Sequence, residues 1–165
     1  MLMVELAEIQ AAYYMVAATG VLAAAIYYIV NMRATLQTRQ AQLFMQLYDR
    51  WTFDIVDKFW DFLDDDISTA EELFDRQKTD KEFRRRTAIL SRYHEGIGVL
   101  VRFGLLDIRY IVYLASWPTR MYWEKYKPII EDIRRLQKAP RSDSESEYLY
   151  NRLMKYIKEH PELAI

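Results

Sequence analysis

The chain has no cysteine, only two histidines, and four each of glycine and proline in 165 residues. Without cysteine there is no disulfide framework, no thiolate metal site and no cysteine nucleophile. So little Gly and Pro leaves scant turn chemistry for a β-meander, while plentiful Ala, Leu, Ile, Glu, Lys and Arg favour helices. The net charge of −1 lacks the basic excess that draws a protein to nucleic acid, and none is expected as a partner. Neither a Gly-rich phosphate loop nor a G-x-S-x-G elbow occurs. At this length there is room for one membrane span and one small domain.

Charge is present but unevenly spread. Residues 54–82 carry 11 acids and 4 bases, net −7, and residues 83–165 carry 10 acids and 16 bases, net +6. The simplest reading is two solvated helix faces that attract each other within one fold.

Between Glu8 and Arg33 lie 24 uncharged residues, Ile9 to Met32. At 1.5 Å per residue they make about 36 Å of helix, enough to cross a hydrocarbon core of about 30 Å with some tilt. Tyr13 and Tyr14 near one end and Tyr27 and Tyr28 near the other suit rings resting at both interfaces. A secretory signal calls for a basic start, whereas Glu5 and Glu8 are acidic, so cleavage is not expected. Arg33 and Arg39 flank only the C-terminal side, and the positive-inside rule therefore places the N-terminus outside the cell membrane (the inner membrane) and the rest in the cytoplasm. Within the run, Thr19 with Ala23 and Gly20 with Ala24 form small-xxx-small pairs. Such pairs let another helix approach closely, although small residues are common in spans.

No Gly or Pro falls between Val21 and Asp66, so the span is expected to continue as a helix beyond residue 33. Leu36, Leu43, Phe44, Leu47, Trp51, Ile55, Phe59, Phe62 and Leu63 recur at three- and four-residue steps, an amphipathic stripe that Asp64, Asp65 and Asp66 end. Ser68 with Glu71, Thr69 with Glu72, Thr79 with Glu82 and Ser144 with Glu147 have capping-box spacing. A long helix is predicted over 80–103, with Ile89, Leu90, Tyr93, Ile97, Leu100 and Val101 inward and Gly104 as its stop. A short helix from Asp107 follows, then Ser116-Trp117-Pro118 as cap and first turn of the next. Pro128 is predicted to kink or restart that helix near Tyr126, and a last helix ends near His160-Pro161. The expectation is an all-α protein: an anchor over 1–33, then a helical domain over 34–165 built as a bundle of about five or six helices.

Chemistry is sparse. His94-Glu95 lacks a second histidine four residues on, where Gly98 stands, so a zinc-protease helix is not formed. Glu95, with Arg92 three before and Arg102 seven after, reads as a surface ion pair. Asp61, Asp64, Asp65 and Asp66 lack the alternation and glycine of a calcium loop and read as a solvated turn. Arg84, Arg85 and Arg86 point three ways around a helix, and Gly96-x-Gly98 looks like close helix packing. No catalytic residue, metal ligand or cofactor is implied. The aromatics are the unusual feature, at 13 Tyr, 7 Phe and 4 Trp. Trp51, Trp60, Trp117, Tyr122, Trp123 and Tyr126 read as core or, for some, as an interface, because apolar stripes report burial without naming what covers them.

The order of Leu43-Phe44-Met45-Gln46-Leu47-Tyr48, then Tyr93-His94-Glu95-Gly96-Ile97-Gly98-Val99-Leu100-Val101, Gly104-Leu105-Leu106-Asp107-Ile108 and Tyr122-Trp123-Glu124-Lys125-Tyr126-Lys127-Pro128-Ile129-Ile130 resembles a family of small prokaryotic single-pass proteins known only as a domain of unknown function. The resemblance implies fold and topology but no reaction. Glu95, Gly96, Gly98, Gly104, Asp107, Trp123 and Pro128 read in it as architectural as readily as functional. The leading expectation is a non-enzymatic, membrane-anchored accessory or scaffold subunit, partnered by lipid and by another subunit or itself. The alternative is a tethered sensor that binds a small ligand between helices. Arg92, Tyr93, Glu95, Trp117 and Trp123 are the candidate interface or pocket residues.

Overall fold

From Leu2 the backbone stays helical to Asp64, since no proline in that stretch removes an amide hydrogen and its one glycine, Gly20, is carried within the long apolar run. The computed structural model describes residues 2–163, with side chains from Leu6 onward, so Glu5 of the orientation argument lies outside the described side chains. Helix α1 spans Leu2–Arg50, a π-helical turn covers Trp51–Ile55, and α2 spans Val56–Asp64. Helices α3 (Ala70–Thr79), α4 (Lys81–Arg102), α5 (Ile108–Leu114), α6 (Ser116–Gln137) and α7 (Ser144–Glu159) follow, with a 3-10 turn at Pro161–Leu163. No strand occurs among the described residues.

The chain divides into two compact units, Met1–Gln42 and Leu43–Ile165, so the structural boundary falls nine residues beyond Arg33. In the first unit one helix is long and apolar enough to cross a membrane. Its described side chains are exposed through Arg39, including Thr19, Gly20, Ala23 and Ala24. Thr19 donates its hydroxyl to the Met15 carbonyl at 2.8 Å, which satisfies it within the helix. Leu36, predicted to join the inward stripe, is exposed as well; the buried stripe begins at Phe44.

In the second unit the helix ends follow local chemistry with instructive exceptions. The Thr69 hydroxyl accepts from Glu72 N while the Glu72 carboxylate accepts from Thr69 N, a complete capping box; the amides of Ser68, first, and Thr69 hold the Glu72 carboxyl below its usual range. At α4 the predicted Thr79–Glu82 pair gives way to Asp80, whose carboxylate accepts from Glu82 N and Phe83 N, both at 2.9 Å. Thr79 instead turns its hydroxyl back onto the Asp75 and Arg76 carbonyls. Gly104 stops α4 with φ +68°, and Asp107 caps α5 through Arg109 N. Ser116 is not the cap of α6 but its first residue, buried, after Ala115. Helix α6 also runs on through Pro128 without restarting near Tyr126. Proline removes one donor on an exposed face, while Tyr126, Ile129, Ile130 and Ile133 bury the opposite face on both sides of it.

Two apolar clusters fill the second unit. Phe59, Phe62, Leu73, Phe83, Ile129 and Ile130 join α2, α3, α4 and α6. Phe44, Ile97, Ile111, Leu149 and Leu153 join the end of α1 with α4, α5 and α7. Helix α4 contributes to both and is the axis of the domain. The acidic turn after α2 is not simply solvated: the Asp65 side chain, 8% exposed, pairs with Arg76 at 2.8 Å and Arg86 at 2.6 Å. Lys125 adds its ammonium to the Leu63 and Asp65 carbonyls. The opposed charges of the two halves therefore do meet inside one fold.

Candidate functional site

Successive residues of α4 face three different surroundings, and each holds candidate residues. Toward the interior, His94 lies in phase with Leu90, Ile97 and Val101 and is fully buried. Its ring stacks flat on Tyr122 of α6, centroids 3.7 Å apart and planes within 1°, with Trp51 edge-on at 6.4 Å. His94 Nδ1 is 2.9 Å from the Leu90 carbonyl, a bond for which the neutral ring supplies the hydrogen, leaving Nε2 with a lone pair. Burial pushes the imidazole down to about 4. Beside it, Tyr93 donates its hydroxyl to the Leu47 carbonyl at 3.0 Å, and burial holds its phenol up at about 12. The cavity at these two rings, also lined by Leu47, Trp51, Ile111 and Thr119, measures about 20 Å³. That is space for one water, not for an organic ligand.

Toward α7, α4 presents Glu95 and Gly98. Glu95 Oε1 accepts from Glu145 N at 2.9 Å and Ser146 N at 2.7 Å, so a carboxylate fifty residues away caps the first turn of α7. This replaces the predicted Ser144–Glu147 box, and Glu95 is not the surface ion pair its neighbours suggested: Arg102 pairs with Glu145 instead. Before α7, Asp143 stands at φ +50° and accepts from the Ser91 hydroxyl at 2.7 Å. Burial holds both carboxyls above their ordinary range, and the Asp143 charge adds to the effect on Glu95. Of the glycine pair, only Gly98 packs closely, against the Glu145 carbonyl; a Cβ at Gly96 would meet nothing within 4 Å.

The third surrounding is solvent. Arg92 is exposed on the outer face of α4. Across the domain, Trp117 at the start of α6 meets Trp60 of α2, ring centroids 5.3 Å apart, both over Phe59. Trp60 remains 49% exposed and Trp117 39%. Tyr48, Thr52, Leu114 and these two rings line an open groove of about 310 Å³. Trp123, by contrast, is core, packed near Tyr150. Arg92, Tyr93, Glu95, Trp117 and Trp123 therefore do not converge on one pocket. Sequence reasoning weighed His94 only as a zinc ligand, although its place among Leu90, Ile97 and Val101 was the available signal for burial.

The fold and these surroundings define an all-α protein with one apolar helix of membrane-spanning length and a helical domain bearing an exposed aromatic groove. The chain belongs to the family DUF4760, a domain of unknown function, whose family model matches residues 14–153. No curated protein and no solved structure matches it.

Proposed function

We propose that this protein is a membrane-anchored, non-enzymatic interaction subunit, an accessory or scaffold component of a larger assembly. The observation that carries the reading is the Trp60–Trp117 surface: two large rings in mutual contact, each left partly in solvent, lining an open groove with Tyr48, Thr52 and Leu114. The long apolar helix of the first unit, with its small-residue positions Thr19, Gly20, Ala23 and Ala24, supports anchoring in the inner membrane and a helix partner there. Arg33 and Arg39 favour an outside N-terminus and a cytoplasmic domain. Exchanging the charges at Glu5, Glu8, Arg33 and Arg39 is expected to invert a C-terminal topology reporter. The ligand-sensor alternative has less support, since the cavity at His94, about 20 Å³, has room for a water but not for an organic ligand. Native purification in mild detergent, with the mass of the intact particle, tests the reading: a complex or homo-oligomer is expected, and a strictly monomeric particle in membranes overturns it.

A further inference from the structure

The groove beside Trp60 and Trp117 has a second space directly behind it. Tyr48, Trp51, Leu114 and Pro118 line both this groove of about 310 Å³ and the cavity of about 20 Å³ at His94. No Asp, Glu, Lys or Arg lines either space, so an ion entering there would lose hydration without gaining a counter-charge. The cavity is not wholly apolar, however: His94 and Thr119, 2% and 4% exposed, are both in its wall. His94 spends Nδ1 on the Leu90 carbonyl, which makes Nε2 an acceptor, and no donor of the described residues reaches that nitrogen. A buried acceptor of this kind selects a neutral group ending in one N–H or O–H, carried on an apolar or aromatic body. Space for one water admits a hydroxyl but no ring. A phenol meets these conditions, because its hydroxyl projects from the end of a flat ring suited to the indole faces of the groove.

The shape of the groove decides the source of the phenol. Trp60 is 49% exposed, Tyr48 41% and Leu114 56%, so the walls cover one side only. Sites for free small molecules enclose most of the ligand, whereas a partner's side chain is covered on its other side by the protein that carries it.

We propose that the Trp60–Trp117 groove takes a tyrosine side chain of a partner protein, its hydroxyl donating to His94 Nε2. This rests on the reading of the protein as an interaction subunit and names the anchor of that interaction. Trp51, which lines both spaces, belongs to the π-helical turn, a distortion that recurs at functional sites. His94 then serves recognition as well as packing, and its neutral state keeps Nε2 an acceptor.

The test uses the full chain in mild detergent and two neutral probes, N-acetyltyrosinamide and N-acetylphenylalaninamide, which differ only by the phenol hydroxyl. The His94 ring signal in NMR, assigned with a His160→Gln variant, reports binding. The tyrosine probe is expected to bind with millimolar affinity, at least about fivefold more tightly than the phenylalanine probe, and to move the Nε2 signal. His94→Phe keeps a ring against Tyr122 and is expected to erase that preference, read by tryptophan fluorescence. Leu114→Glu, on an exposed wall of the groove, is expected to weaken both probes about tenfold and to release the partner from the native particle, with helicity and unfolding temperature unchanged. The partner segment captured through a photoreactive side chain at position 52 is expected to carry a tyrosine. Replacing that tyrosine by phenylalanine is expected to weaken the complex about fivefold or more. Equal binding of the two probes, or a His94 signal that neither moves, overturns the inference but leaves the interaction reading standing. So does a captured segment without tyrosine. Micromolar affinity for the free tyrosine probe also overturns it, in favour of a small-molecule site. A strictly monomeric native particle removes both proposals.

Discussion

Gly98 of α4 and the Glu145 carbonyl of α7 approach so closely that a Cβ at position 98 would overlap that oxygen, whereas Gly96, two residues earlier, faces open space. The two glycines thus separate packing from propensity. Gly98→Ala forces α7 away from α4 and is expected to lower stability by about 2 kcal/mol or more, as overpacking against backbone does. Gly96→Ala meets nothing and removes chain entropy, so a gain of about 0.5–1 kcal/mol is expected. Urea unfolding of the two variants in mild detergent decides it, and equal effects would contradict the close approach.

The cap that Glu95 provides carries a pH signature. Burial raises the carboxyls of Glu95 and Asp143, so the folded chain holds their protons more tightly than the unfolded chain does. The stability they contribute is therefore greatest at acid pH and declines as pH rises from the ordinary values of 4.5 and 3.8 through the higher folded ones. Glu95→Gln keeps an oxygen acceptor for the Glu145 and Ser146 amides and removes one titration. Its stability is expected to decline less steeply than wild type over that window in chemical unfolding at a series of pH values. Glu95→Ala removes the acceptor altogether and is expected to cost about 1 kcal/mol more than Glu95→Gln.

Which features were legible in the sequence follows from the range of each interaction. The Thr69–Glu72 box, the Asp107 cap, the Gly104 stop and the end at His160-Pro161 are decided within a few residues, and all stand where local chemistry puts them. Asp80 displaced Thr79 because two capping side chains were adjacent and either satisfied the local rule. Pro128 does not restart α6 because its cost is local, while burial of Tyr126, Ile129 and Ile130 comes from elsewhere in the fold. The cap on α7 was hidden because its acceptor, Glu95, lies fifty residues upstream. Trp60 and Trp117 are the limiting case: residue type alone left them open between core and interface, and only the fold shows how much of each ring the chain leaves uncovered.

Asp65 shows how one member of an acidic run differs from its neighbour. Its carboxylate is held by Arg76 and Arg86, the latter only 15% exposed, while Asp66 is open to solvent. Asp65→Asn is expected to cost about 1.5–3 kcal/mol, as charge-assisted hydrogen bonds do. Asp66→Asn is expected to stay within about 0.5 kcal/mol of wild type. Thermal unfolding of the pair checks the contrast, and a silent Asp65→Asn would show that water replaces both guanidinium contacts at no cost.

His94 gives the opposite pH slope to Glu95. The buried ring is neutral, with its protonation pushed from the ordinary 6.5 down to about 4 by desolvation. Below pH 6.5 the unfolded chain takes the proton first, so the stability this residue contributes is fully present above that value and is lost as pH falls toward 4. By pH 4.5 the loss is on the order of 2 kcal/mol. His94→Phe keeps a flat ring against Tyr122 and leaves nothing to titrate, so its stability is expected to fall less than wild type over the same interval. The His94 ring signal in NMR, assigned with a His160→Gln variant, is expected to hold its position between about pH 8 and 5, below the ordinary histidine midpoint. A midpoint near 6.5 would mean that water reaches the ring and that the stack on Tyr122 opens in solution.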